Sequence, residues 1–180
     1  MESGHDKREI AAVLNSVEVA VVSTFAGEQL RSRMMHYAAD EDFNMYLATM
    51  KGDPKTVQLT HHPSIAILVH KPSDNVSEAK EVEITGKAFI IKNEQERNKA
   101  FQLIALRSPV VKYLLETHNE DRLDCIKILP ERIKYRVFGE IVQGLPPTVV
   151  EFPQHRAVVS DFLCLRKKIK NWVLALRGSF

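Results

Sequence analysis

The chain has 180 residues, which is enough to bury a hydrophobic core and fits one domain with an appendage. Hydrophobic residues make up 44% and charged residues 27%, as in ordinary soluble globular proteins, so the composition excludes a low-complexity chain. The net charge of +2 is too small to favour nucleic acid, which we do not expect as a partner.

The start of the chain, MESGHDKRE, is polar and does not predict a secretory signal peptide. No apolar run approaches the roughly 18 residues that a membrane span requires. The two cysteines, Cys125 and Cys164, lie outside any CxxC motif and have no histidine at metal-ligand spacing. These features predict a cytoplasmic protein with reduced thiols and without a metal site.

The first part of the chain predicts one helix and three strands. Asp6 can cap a helix over 6–15, because Glu9 follows at the capping-box spacing. The β-branched run VEVAVVSTF is typical of a buried strand. Turns at 26–28 and 40–42 separate the three strands, which we place at 17–25, 30–38 and 44–50.

A second helix and two further strands follow. Asp53 fits the N-cap and Pro54 the first position of a helix that ends before Pro63. The next strands are predicted at 64–71 and 82–91. Gly86 lies inside the second of them and predicts a bulge or a tight bend.

The remaining elements complete a mainly β architecture. Residues 93–118 are helical in composition, with an interruption near Ser108. Two closing strands, 123–129 and 133–142, are predicted on either side of Pro130. Many short strands joined by tight turns, with few helices, predict an α+β fold that is mainly β and is built on a small closed barrel.

The last part of the chain differs from the rest. The stretch GLPP at 144–147 predicts a linker, and one helix is expected from Val158 onward. We therefore divide the chain into a barrel domain, 1–144, and a linker with a basic amphipathic helix, 145–180. Between residues 156 and 177, six basic residues and one acid give a charge of +5, so the basic character belongs to this tail.

Apolar residues of the expected C-terminal helix recur at spacings of three and four, which is typical of an a/d stripe. They are Val158, Phe162, Leu165, Ile169, Trp172 and Leu176. We expect this stripe to pack on the barrel or on a partner subunit. A membrane surface is the alternative, because a tryptophan and a lysine-rich face also fit it.

Basic residues on the second strand and at the second helix suggest a phosphate site. Strand alternation places Arg33 and Met35 on one face, and Met34 and His36 on the other. A helix N-terminus offers free backbone N–H groups, and Lys55 adds a full charge in its first turn. Arg33 can add a second charge. The alternative is that these side chains are simply solvated on an exposed strand face.

The stretch RSRMMHYAADEDFNMYLATMKGDPKTVQLTHHPSIAILV resembles the core of the pyridoxamine 5′-phosphate oxidase-like flavoproteins. The similar features are an Arg-x-Arg-x-Met strand, a strand with the pattern aromatic-x-x-Thr, a lysine at a helix start and a following strand. The resemblance covers roughly residues 8–142 and extends to the segments ITGKA and PERIKY. It implies a split β-barrel of the FMN-binding type, in a homodimer that holds the flavin at the subunit interface.

The resemblance also implies roles for individual residues. Arg33 and Lys55 would hold the FMN phosphate, as the matching residues do in that family. The isoalloxazine ring would rest against the backbone of the second and third strands, at Met34, Met35, His36, Ala48 and Thr49.

The chain departs from the true pyridoxamine phosphate oxidases in two places. At the helix start it has Asp53-Pro54-Lys55 where those enzymes carry Ser-Arg-Lys. It also lacks the C-terminal Arg-x-His-x-x-Arg cluster that contacts their substrate phosphate. We therefore expect a member of the wider family whose substrate is not pyridoxamine phosphate.

The expected function is that of an FMN-dependent oxidoreductase of unknown substrate, in which the flavin itself carries the hydride or the electrons. No catalytic acid or base stands out in the sequence. One alternative is a reductase that uses a deazaflavin cofactor. Another is a flavin- or haem-binding module without turnover. Fold resemblance leaves these open, because split barrels support several chemistries.

Overall fold

The computed structural model describes residues 5–153. The helices are α1 (Lys7–Ser16), α2 (Pro54–His61), α3 (Glu94–Ala105), α4 (Pro109–Glu116) and α5 (Phe138–Val142). The strands are β1 (Val19–Ala26), β2 (Gln29–Ala39), β3 (Met45–Met50), β4 (Ser64–Lys71), β5 (Lys80–Ile90), β6 (Leu123–Val137) and β7 (Thr148–Glu151). Short 3₁₀ turns lie at Val76–Glu78 and Glu120–Arg122. None of these helices is long and apolar enough to cross a membrane.

The strands form one antiparallel sheet in the order β3-β2-β1-β4-β5-β6-β7, and β3 also pairs with β6. That additional pairing closes strands β1 to β6 into a barrel, and β7 extends the sheet beyond β6. The predicted mainly β split barrel with flanking helices is confirmed. Closure encloses the larger apolar cluster as the interior of the barrel.

The barrel is split between β2 and β3. These two strands pair only at their ends, from Tyr37 opposite Leu47 to Ala39 opposite Met45. Residues 29–36 of β2 pair with β1 alone among the described residues, and residues 48–50 of β3 pair with β6. Strand residues alternate in the side to which they direct their backbone groups, so part of the β2 backbone faces this opening.

Strand β6 differs from its prediction, because one continuous strand replaces the two expected around Pro130. Thr85 of β5 lies opposite Arg132 and Gly86 opposite Pro130, so Glu131 is an extra residue in the ladder. Such a bulge accommodates a proline, which has no N–H to donate. The predicted irregularity at Gly86 is confirmed, since a Cβ there would lie 2.2 Å from the carbonyl oxygen of Leu129.

The end of the sheet also differs from the sequence-based picture. Residues 138–142, predicted as strand, form α5 instead. The ladder with β5 ends where Val137 lies opposite Lys80, with one further hydrogen bond from the N–H of Phe138 to the carbonyl of Ala79. After the GLPP turn, β7 pairs with Arg132 to Tyr135 of β6. The sheet therefore extends past residue 144, the predicted end of the barrel domain. The helix predicted from Val158 lies outside the described residues.

Two apolar clusters hold the elements together. The barrel interior is filled by β-branched and aromatic side chains, and Leu14 of α1 and Leu59 of α2 are buried in the same cluster. Tyr37 is fully buried and donates its hydroxyl to the carbonyl of Leu14, 2.8 Å away. A second cluster packs α3 and α4 against β2, β3 and β6 around Phe101. The predicted break at Ser108 is confirmed, since Ser108 caps α4.

Candidate functional site

The polar residues singled out in the sequence lie where α2 meets the strands that flank the split. As predicted, α2 begins with Asp53 as N-cap, whose Oδ1 accepts the N–H of Lys55 at 2.9 Å, and with Pro54 in its first turn. Its buried residues, Lys55 and Leu59, face the barrel. Because α2 follows β3 after a short turn at Gly52, its first turn stays close to the end of that strand.

Arg33 of β2 points toward the barrel interior, because its cross-strand partner is the buried Val22. Its Nη2 donates to Oγ1 of Thr24 at 3.1 Å, and that hydroxyl in turn donates to Oε1 of Gln58 on α2 at 3.2 Å. Its Nη1 is buried and has no hydrogen-bond partner among residues 5–153. An unpaired buried donor on a charged group is costly, and an anion is the partner that would satisfy it.

Lys55 is the second cation of the site and has only 9% of its surface exposed. Its Nζ donates to Oγ1 of Thr49 at 2.6 Å and to Oδ2 of Asp53 at 2.5 Å. Burial raises the pKa of the Asp53 carboxyl, but the hydrogen bonds and charge of Lys55 outweigh burial and lower this pKa overall. Asp53 is therefore ionised at neutral pH, and the two side chains form an ion pair.

The structure places Arg33, Thr49 and Lys55 on the side of the barrel that α2 covers. Arg33 reaches α2 through Thr24 and Gln58, and Gln58 lies one helical turn after Lys55. Together with Asp53, the two cations leave a net charge of +1. The unpaired Nη1 of Arg33 is a charged donor that an anion such as a phosphate would satisfy. We name this set the cradle: Thr24, Arg33, Thr49, Asp53, Lys55 and Gln58.

The residues expected beside the flavin ring are divided between two faces of β2. Met34 and His36 lie opposite Val21 and Val19 on the outer face, and Met34 has 72% of its surface exposed. Met35 points inward and packs against the barrel core. The side chains of residues 34–36 therefore do not all point to one side of β2, and only their backbone groups lie together along the split.

On β3, the two expected ring contacts also face opposite sides. Ala48 packs against the cluster around Phe101, whereas Thr49 binds Lys55. His36 is half-buried, and its Nδ1 is buried without a hydrogen-bond partner among the described residues.

Two cradle residues, Thr24 and Gln58, were not identified from the sequence. Thr24 is 1% exposed, and its run of β-branched neighbours gave it the profile of an ordinary buried strand residue. Gln58 follows Lys55 at a spacing of three, which places both on one helix face and is the available sequence signal.

The outer face of the sheet near the split carries exposed apolar side chains. Leu30 and Met34 of β2 and Leu68 of β4 are exposed large hydrophobic residues. Met34 and Leu68 line an open cleft together with Val19 and Val21. Exposed apolar side chains grouped on one face are typical of a surface that another molecule covers.

Comparisons with known proteins agree with this architecture. The family model described as pyridoxamine 5′-phosphate oxidase matches residues 6–136, which is most of the chain. No curated protein matches the chain significantly.

Several solved structures share the fold. General Stress Protein 26 from Bacillus anthracis is 22% identical, with a TM-score of 0.62 over 81% of this chain and 98% of that chain. A FAD-binding protein from Mesorhizobium loti is 16% identical, with a TM-score of 0.58 over 73% and 94% of the two chains. A heme binding protein from Mycobacterium smegmatis is 15% identical, with a TM-score of 0.65 over 82% of this chain and 59% of that one. At these identities the likeness concerns the fold alone.

Proposed function

Since this chain belongs to the pyridoxamine 5′-phosphate oxidase-like family, we propose that it binds FMN in the split between β2 and β3 and acts as an oxidoreductase. The observation that carries the proposal is the buried, unpaired Nη1 of Arg33 in a cradle that also holds Lys55. A charged donor that lacks a partner in the protein is what a phosphate would complete. The bound flavin would supply the hydride or electron transfer.

In this proposal, the residues of the protein bind the phosphate of FMN and orient its ring. Arg33 and Lys55 hold the phosphate, and Thr24 and Gln58 keep the guanidinium of Arg33 in place. The backbone of residues 34–36 and 48–49 lies along the split and orients the ring. We do not extend the proposal to pyridoxamine phosphate, because an acid, Asp53, stands beside Lys55 where the oxidases proper have a serine.

The cofactor is tested by its spectrum and mass. Protein purified from cells, or reconstituted with FMN, should show the two absorption bands of an oxidised flavin and release FMN on denaturation. A single band at shorter wavelength would identify a deazaflavin, and a Soret band would identify haem; either result overturns the FMN proposal. A colourless protein that does not quench added FMN fluorescence would overturn it as well.

We also propose that the chain forms a homodimer through the outer face that carries Leu30, Met34 and Leu68. The exposed apolar surface there supports this arrangement, because burying one such side chain stabilises an interface by roughly 1.5–3 kcal/mol. A partner seated on this face would also cover the split from water.

The dimer is tested by sedimentation of the parent and of Met34→Lys. The parent should sediment at about twice the 20.5 kDa chain mass. Met34→Lys should sediment as a monomer, because dimerisation would bury the unpaired charge of the lysine. Leu106→Lys is the matched control, since Leu106 is 82% exposed at the end of α3 and outside the proposed face. A parent that is monomeric at micromolar concentration, or an unchanged Met34→Lys dimer, would contradict the assignment.

A further inference from the structure

Asp53 has a position in the cradle that its helix-capping role does not explain. One carboxylate oxygen caps α2 by accepting the backbone N–H of Lys55. The other lies 2.5 Å from Nζ of the same lysine, and Thr49 accepts a second N–H from that ammonium group. Two of the three donors of Lys55 are therefore already used within the chain. A ligand phosphate must accept the third or displace one of these two partners.

The charges of the cradle do not match those of a phosphomonoester. Arg33 and Lys55 contribute two positive charges, and the ionised Asp53 removes one of them. A phosphomonoester carries about −1.5 to −2 at pH 7. When the cradle is filled, negative charge is in excess, and the Asp53 carboxylate lies within hydrogen-bond distance of the same ammonium group that would bind the phosphate. Like charges at such separations repel each other.

We propose that Asp53 is an affinity-setting residue that competes with the ligand's phosphate for Lys55. It weakens the binding of a doubly charged phosphomonoester while leaving recognition of the flavin ring unchanged. This inference rests on the proposed function, since it requires the phosphate to lie at Lys55. It assigns to Asp53 an electrostatic effect on the ligand that is separate from its role at the start of α2.

The two roles of Asp53 can be separated by substitution. Asp53→Asn and Asp53→Ser both keep a side-chain acceptor that caps α2, and both remove the negative charge. We expect FMN to bind each variant about tenfold more tightly at pH 7.5, because one repulsive contact with the dianion is lost. Riboflavin, which lacks the phosphate, should bind parent and variants alike. The dissociation constants are measured by quenching of flavin fluorescence, and thermal unfolding of the flavin-free proteins verifies that they are folded.

Asp42→Asn is the control for net charge, because Asp42 is exposed in the turn before β3 and its loss changes the total charge equally. It should leave both dissociation constants unchanged. Unchanged or weaker FMN binding in the Asp53 variants overturns the inference, and so does an equal gain for riboflavin or for Asp42→Asn. If the parent binds FMN more tightly than riboflavin but the Asp53 variants bind FMN no more tightly than the parent, only this inference fails. If the parent does not prefer FMN, the phosphate site itself is misplaced, and the proposed function fails with it.

Discussion

Replacing Arg33 with alanine is expected to weaken FMN binding by about 1.5–3 kcal/mol, or roughly 10- to 150-fold in Kd. In the guanidinium, Nη2 donates a hydrogen bond to Thr24, and the buried Nη1 has no partner among the described residues. The phosphate would accept the hydrogen bond that Nη1 can donate. Riboflavin should bind the variant and the parent nearly alike, because it has no phosphate to lose. Titration of flavin fluorescence with both ligands measures the two affinities.

Arg31→Ala is the matched control for this experiment. Arg31 lies two residues earlier on the same face of β2, but it is exposed and its guanidinium binds Gln29. Its loss removes the same charge and should change FMN affinity little. The flavin-free Arg33→Ala protein should lose no more than about 1 kcal/mol of stability, since a buried unpaired donor disappears with the side chain. Equal losses of FMN and riboflavin affinity in Arg33→Ala would show that the cradle does not bind the phosphate.

Gly86→Ala is expected to lower the free energy of unfolding by about 3 kcal/mol or more. The added Cβ would lie 2.2 Å from the carbonyl oxygen of Leu129 and 3.0 Å from the Cα of Pro130, both on β6. These are backbone atoms of the strand that closes the barrel, so relief requires β5 and β6 to move apart. Urea unfolding followed by circular dichroism measures the loss.

Gly27→Ala separates this clash from the general effect of replacing a glycine. Gly27 lies in the β1–β2 turn with φ +66°, and a Cβ there would meet no atom within 4 Å. An L-residue in that conformation costs roughly 1–2 kcal/mol from backbone strain alone. If Gly86→Ala costs no more than Gly27→Ala, the strands are not as close at the bulge as the structure has them.

The elements that could be predicted from the sequence are those with strong local signals. Asp53 and Pro54 define the start of α2 by residue type alone, and Gly86 marks an irregularity because a strand interior otherwise disfavours glycine. Pro130 has a similarly strong local signal, but it led to a wrong prediction. A proline normally ends a strand, so two strands were predicted where the structure has one. Only its position opposite Gly86, on another strand, shows that it is accommodated in a bulge.

The candidate site could be predicted in its charges but not in its connections. Strand alternation correctly separates Arg33 from Met34, because cross-strand pairing fixes which face each occupies. The contact between Thr24 and Gln58 joins residues 34 positions apart and depends on how α2 packs, which no local pattern encodes. The pairing of Asp53 with Lys55 is local, yet the sequence alone suggested only a cap there. Strand β7 was missed because four residues after two prolines are too short to give a pattern.

The split between β2 and β3 has a consequence for solubility. Along residues 29–36, β2 has a strand partner on one side only among the described residues, so it presents an open sheet edge. Open edges are templates onto which strands of other molecules can add, and charged side chains are a common protection against this. Arg31, which is exposed, supplies such a charge here. If the proposed flavin binding holds, this segment should be where edge-to-edge aggregation begins in a flavin-free preparation, and addition of FMN should suppress it.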